Sequence, residues 1–141
     1  MKSKDPRAKI YLRHVENRLL AISFITVGEL LFGAVKNKWG ERRIDDLKQR
    51  LRSVVIVPYD YELCSTYADL KARLEADGNK IGDNDLWIAA CAVRHGVPLV
   101  SNNRRHFERV PGLRLISEEA ATREIQSQGK LALDTTEPTP T

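Results

Sequence analysis

Four short apolar runs, set between stretches with helical periodicity, restrict this chain to an α/β fold built on a parallel sheet with helices on both faces. Leu19 to Ile25 reads Leu-Leu-Ala-Ile-Ser-Phe-Ile, and Val54 to Val57 is β-branched throughout and stopped by Pro58. Pro98-Leu-Val100 is shorter still, and Leu113-Arg-Leu-Ile116 closes the series. Each has the length and composition of a buried strand.

The intervening segments carry apolar residues at spacings of three and four. A charged helix is predicted from about Pro6 to Asn17, and Thr26 is placed to cap a helix from Val27 to about Lys38. From Gly40 to Ser53 the residues Ile44, Leu47 and Leu51 mark one face, and from Tyr61 to about Ala76 Leu63, Tyr67, Leu70 and Leu74 mark another, before the turn Asp77-Gly78-Asn79. The most apolar helix, from about Asn84 to His95, carries Leu-Trp-Ile-Ala-Ala-Cys-Ala-Val on every side and so belongs between the sheet and a further layer. Gly96 closes it, Arg104 to Arg109 forms a short basic helix, and a last helix runs from beyond Ser117 to Gln126. Residues 127–141 are polar and proline-punctuated, which predicts a disordered tail behind a single domain of residues 1–126. No internal repeat is present.

A length of 141 residues suits one core, and 42% hydrophobic with 30% charged residues is a globular balance. The longest apolar run, Leu86 to Val93, is far too short to span a bilayer, and the charged N-terminus has no apolar stretch behind it, so no membrane and a cytoplasmic location are expected. Cys64 and Cys91 have neither metal-ligand spacing nor a histidine pair nearby and are expected to be buried small hydrophobes. A net charge of +4 and a pI near 9.2 favour a polyanion such as RNA, or a basic solvated surface.

Oxygen-bearing side chains gather where strands end and helices begin, the usual crevice of an open parallel sheet. The strings are Thr26-Val-Gly-Glu29-Leu, Gly82-Asp83-Asn84-Asp85-Leu and Ser101-Asn102-Asn103. Carboxylates crowded beside a buried helix repel, which is relieved by protonation or by a hard cation such as Mg²⁺ or Mn²⁺. Each residue also has a plainer role. Glu29 and Asp85 fit the first turn of a helix, where the macrodipole favours an acid, and Asp83 fits an N-cap. Asn102 and Asn103 fit a turn, Trp87 fits the core, and Arg104 and Arg105 suit either RNA phosphates or a solvated face. His14, His95 and His106 are scattered with no evident partner. A dinucleotide- or nucleotide-binding α/β protein is disfavoured, since there is neither G-x-G-x-x-G nor a P-loop.

Three strings, Ile-Thr-Val-Gly-Glu-Leu-Leu-Phe-Gly-Ala, Ile-Gly-Asp-Asn-Asp-Leu-Trp-Ile-Ala-Ala-Cys-Ala and Pro-Leu-Val-Ser-Asn-Asn-Arg-Arg-His-Phe-Glu-Arg-Val-Pro-Gly-Leu, resemble in order and spacing the signatures of PIN-domain toxins of the VapC type. The resemblance implies a three-layer α/β/α fold with a short central parallel sheet. It further implies a Mg²⁺- or Mn²⁺-dependent endoribonuclease, paired with a cognate antitoxin in a type II toxin–antitoxin system and commonly homodimeric. Glu29 and Asp85 fall on the family's metal-binding acids, Asn103 falls on a fourth site position, and Arg104 and Arg105 follow it. PIN domains open with an apolar strand ending in Asp-Thr-Asn or Asp-Thr-Ser that supplies a first acid. The present chain starts with what resembles the loop and helix after that strand, so the first acid is expected to be missing and Asp5, before Pro6, to be a helix cap. A catalytically inactive PIN-like module that binds an antitoxin or sister subunit is the alternative.

Overall fold

The computed structural model describes Tyr11 and residues 16–117. Strand β1 (Ala21–Ser23) leads directly into helix α1 (Phe24–Lys36), followed by α2 (Glu41–Arg52), β2 (Val55–Val57), α3 (Tyr61–Ala76) and α4 (Asp83–His95). Strand β3 (Leu99–Val100), the single-turn helix α5 (Arg104–Phe107) and β4 (Leu115–Ile116) complete the order. The alternation expected from the apolar runs is therefore present, with shorter strands. The predicted helix ending at Asn17, apart from Tyr11 and residues 16–17, and everything after Ser117, including the predicted tail, lie outside the described residues.

Local side chains explain the boundaries. Ser23 ends β1 in an extended conformation (φ −73°, ψ 154°), and its Oγ accepts from the backbone N–H of Thr26 at 3.0 Å. The cap is thus Ser23 and not Thr26, because the chain turns helical at Phe24 and leaves Thr26 already inside the first turn. Helix α3 is capped by Asp60, whose Oδ1 accepts from the Leu63 N–H at 2.7 Å. Helix α4 starts after Gly82, without a side-chain cap, and stops at Gly96, whose φ of 63° is the left-handed conformation that glycine adopts without a Cβ penalty.

The α/β class holds, and both strand pairings are parallel. β1 pairs with β2 in the register Ala21 to Val55, Ile22 to Ile56 and Ser23 to Val57. β3 pairs with β4 through Leu99 to Leu115 and Val100 to Ile116. Among the described residues these are two separate two-stranded ribbons, with no ladder joining them. The core between the elements is made by Leu63, Leu70 and Leu74 of α3, Leu86, Ala89, Ala90 and Cys91 of α4, and Phe107 and Val110 beyond β3. Phe24 and Val57 pack on it from the first ribbon side, and Leu99 and Leu115 from the second.

Helix α4 sits at the centre of this packing, as its sequence predicts. Ala89 and Ala90 are fully buried, so small side chains let neighbouring backbones approach. Trp87 is half-buried and stacks on Tyr67 with ring centroids 3.8 Å apart, which bears out a packing role. Cys91 is buried, and that burial raises its thiol pKa. Cys64 is exposed, contrary to expectation: Leu63 takes the inward position on α3, and the next residue of a helix is turned about 100° away. Among the described residues no helix is long and apolar enough to cross a membrane.

Candidate active site

Glu29 lies on α1, one element after β1, and Asp85 on the first turn of α4. Because α1 begins at Phe24, Glu29 falls in the second turn, and the first turn of α1 carries no acid. That removes the helix-dipole explanation for Glu29, whose strength fades beyond the first turn. Its exposed carboxylate instead meets α4, where Asn84 Nδ2 donates to Glu29 Oε1 at 3.0 Å. One hydrogen bond thus ties the two acid-bearing helices together at their shared edge.

Asp85 faces the third segment. His106 Nδ1 stands 2.6 Å from Asp85 Oδ2, and Asn103 Nδ2 stands 2.8 Å from the same ring nitrogen. Asn103 precedes α5, its backbone N–H donates to Ser101 Oγ at 3.1 Å, and its side chain caps nothing, so the turn role alone does not account for its amide. Asn102 Oδ1 accepts from the Tyr11 hydroxyl. The three strings singled out from the sequence therefore do converge, through Glu29, Asn84, Asp85, His106 and Asn103.

Two of these five were missed. The sequence names Asn84 only within the string Gly82-Asp83-Asn84-Asp85 and assigns it no role, and it offers His106 no evident partner. The signal for His106 was its spacing: it lies three residues after Asn103, one helical turn, and so shares its face. Asp83 departs in the other direction. It neither caps α4 nor joins the acids, because the hydroxyl of Tyr67 donates to its Oδ1 at 2.8 Å and Lys71 Nζ at 3.0 Å. The Lys71 ammonium, with Tyr67 second, holds the Asp83 carboxyl below the usual carboxylate range, and the same contact with Asp83 raises Lys71. A cleft of about 250 Å³ lined by Lys71, Leu74, Lys80, Ile81 and Asp83 opens on that side, away from Glu29 and Asp85.

The two basic residues differ. Both are exposed, but Arg104 Nε donates to Glu108 Oε2 at 3.0 Å along its own segment, whereas Arg105 makes no such bond to a described residue. Among the described residues no group of three or more His, Cys, Asp or Glu is close enough to hold a metal ion. The donor chemistry nonetheless fits a hard divalent cation. Glu29 and Asp85 each commit one carboxylate oxygen, to Asn84 and His106, and keep the other without a hydrogen bond to a described residue. Mg²⁺ is commonly held by one or two carboxylates, with waters and substrate phosphate filling the remaining positions.

Known proteins resemble this chain in sequence and fold. Residues 1–113 match the PIN domain, and the chain belongs to that family. Within it, the resemblance runs to VapC ribonucleases. One from Haemophilus influenzae, ribonuclease VapC2, is 42% identical over 95 residues, spanning 67% of this chain and 72% of its own. The tRNA(fMet)-specific endonuclease VapC of Salmonella typhimurium is 33% identical over 96 residues, covering 68% and 73%. Among solved structures, VapBC2 from Rickettsia felis, bound to a DNA fragment from its promoter, superposes with a TM-score of 0.71 at 32% identity, covering 80% of this chain and 86% of that one. VapBC-1 from nontypeable Haemophilus influenzae gives 0.73 at 30% identity, with 81% and 88% covered.

Proposed function

We propose that this chain is an endoribonuclease of the VapC type, the toxin of a type II toxin–antitoxin pair, which hydrolyses RNA phosphodiester bonds with Mg²⁺ or Mn²⁺ held by Glu29 and Asp85. The observation that carries this is the link from Asn84 to Glu29, which sets two acids from different helices at one edge beside Asn103. A divalent ion there supplies charge stabilisation for the phosphodiester and an activated water. The chain's own residues bind and orient. Glu29 and Asp85 present carboxylate oxygens without a hydrogen bond to a described residue, Asn103 adds an amide without charge, and the exposed Arg105 is our candidate for a phosphate contact.

The antitoxin partner is assigned to the outer face of α1. Phe32 is 65% exposed and Val35 74%, with Leu31 beside them, an apolar strip that water solvates poorly and a partner helix would cover. A second copy of the chain is the further expected partner, and the cytoplasm the expected location.

Cleavage of a labelled RNA in the presence of Mn²⁺ tests the nuclease directly. Wild-type chain cuts, and Glu29→Gln and Asp85→Asn each lose cutting while keeping wild-type circular dichroism. A wild-type chain that binds antitoxin but cuts no RNA with any divalent ion would establish the inactive PIN-like module instead.

A further inference from the structure

We infer that His106 is a positioning residue for Asp85, fixing one carboxylate oxygen through Nδ1 so that the other is aimed into the site. The assignment rests on the reading of Glu29 and Asp85 as cation ligands and adds a residue to it.

The geometry carries the tautomer. His106 Nδ1 has two neighbours, Asp85 Oδ2 at 2.6 Å and the Asn103 amide at 2.8 Å. A single ring nitrogen either donates or accepts. An ionised carboxylate only accepts, so the proton sits on Nδ1 and is shared with Asp85. The Asn103 amide must then present its oxygen to that N–H, since amide orientation in a structure is settled by the hydrogen-bond network around it. Asn103 Oδ1 and Asp85 Oδ2 together accept from one donor.

The ring is held for this task from behind. The backbone N–H of His106 donates to the Asn103 carbonyl at 3.2 Å, and the next residue, Phe107, is buried in the core together with Val110. The imidazole therefore stands on a fixed platform, 21 residues along the chain from the acid it holds. Its own side chain is 48% exposed, so hydrophobic packing does not explain its orientation. A carboxylate at the start of a helix otherwise rotates freely about χ1 and χ2, and ordering it at the moment of binding carries an entropy cost. An outer partner removes that cost in advance, and such partners typically change metal affinity by roughly 10–100-fold when lost.

Isosteric replacement separates this role from bulk. In His106→Asn the amide nitrogen takes the place of Nδ1, whereas in His106→Gln it takes the place of Nε2 and cannot reach Asp85. Binding of Mn²⁺ alone, followed by electron paramagnetic resonance on the full chain, is expected to stay near wild type in His106→Asn and to weaken by about 10-fold or more in His106→Gln. Thermal melts of the two metal-free variants should coincide. Equal Mn²⁺ affinity in His106→Asn and His106→Gln, with Asp85→Asn strongly impaired, would overturn the positioning role and leave the metal site standing. Mn²⁺ affinity unchanged in Asp85→Asn would overturn the metal site and the role of His106 with it.

Discussion

Truncating Leu86 to alanine should destabilise the fold and loosen the candidate site together. Leu86 is 2% exposed, lies next to Asp85 in the first turn of α4, and belongs to the cluster that contains Leu63, Leu74 and Ala89. Three carbons leave an almost fully desolvated position, which at about 0.8 kcal/mol for each buried methylene amounts to about 2.4 kcal/mol of transfer free energy. The flanking Ala89 and Ala90 are too small to collapse into the gap, so a cavity term adds to this, and the sum should fall in the roughly 3–4 kcal/mol part of the range seen for buried leucines. For a domain of this size that is a fall of roughly 10–15 °C in Tm. Urea unfolding followed by circular dichroism reads the midpoint and slope, and Val35→Ala, at an exposed position, serves as the control with almost no change. The metal-free variant should also bind Mn²⁺ more weakly, because the turn that carries Asp85 has lost its anchor. A Leu86→Ala midpoint indistinguishable from that of Val35→Ala would refute the placement of α4 at the centre of the core.

Two further predictions follow from charges. The Leu63 N–H, with Arg94 adding to it, holds the Asp60 carboxyl below its ordinary value. A depressed carboxyl gives stability that is present above the unfolded pKa near about 3.9 and is lost as pH falls through the lower folded value. Asp60→Asn keeps an N-cap acceptor but cannot titrate, so the urea midpoint of the variant should decline less steeply through that acid range; identical acid limbs would show that Asp60 is not responsible. Arg105→Ala should weaken RNA binding uniformly and lower the slope of log affinity against log salt by about 0.7, the contribution of one phosphate contact on a single strand. Filter binding across a salt series measures it, with the Glu108-paired Arg104 expected to change the slope less.

Much of this was legible in the sequence because apolar runs and turn residues act locally. The span of α3 was read as Tyr61 to Ala76 from the Leu63, Tyr67, Leu70 and Leu74 face, and the stop of α4 at Gly96 from glycine alone. The sequence makes β1 too long: Phe24 and Ile25 are apolar enough for a strand, but the hydroxyl of Ser23 accepts from the Thr26 N–H and caps a helix that starts early. Ownership of the acids was harder. Asp83 and Asp85 are two positions apart on a helix, about 200° around it, so one meets Lys71 and Tyr67 and the other His106. Which acid faces which neighbour depends on how α4 is rotated against α3 and α5, a tertiary quantity that periodicity does not contain. His106 was lost for the same reason, since its partner is supplied by another element.

The separation of the strands into two ribbons has a mechanical consequence. Hydrogen-bonded ladders resist sliding because every rung must break at once, whereas side-chain packing yields in small steps. Among the described residues the first ribbon leads into the helix with Glu29, and the second leads through Asn103 into α5 with His106. Among the described residues no rung spans the interval between them, and α4 joins the two sides, fastened to one by Asn84 and to the other by Asp85. Breathing of one ribbon against the other is then a collective motion of the slower kind, microseconds or longer, with the acids at the opening of the joint. A ligand gripped by Glu29 and Asp85 together, as proposed, would work as a clasp, closing a gap that the backbone of the described residues leaves unbridged.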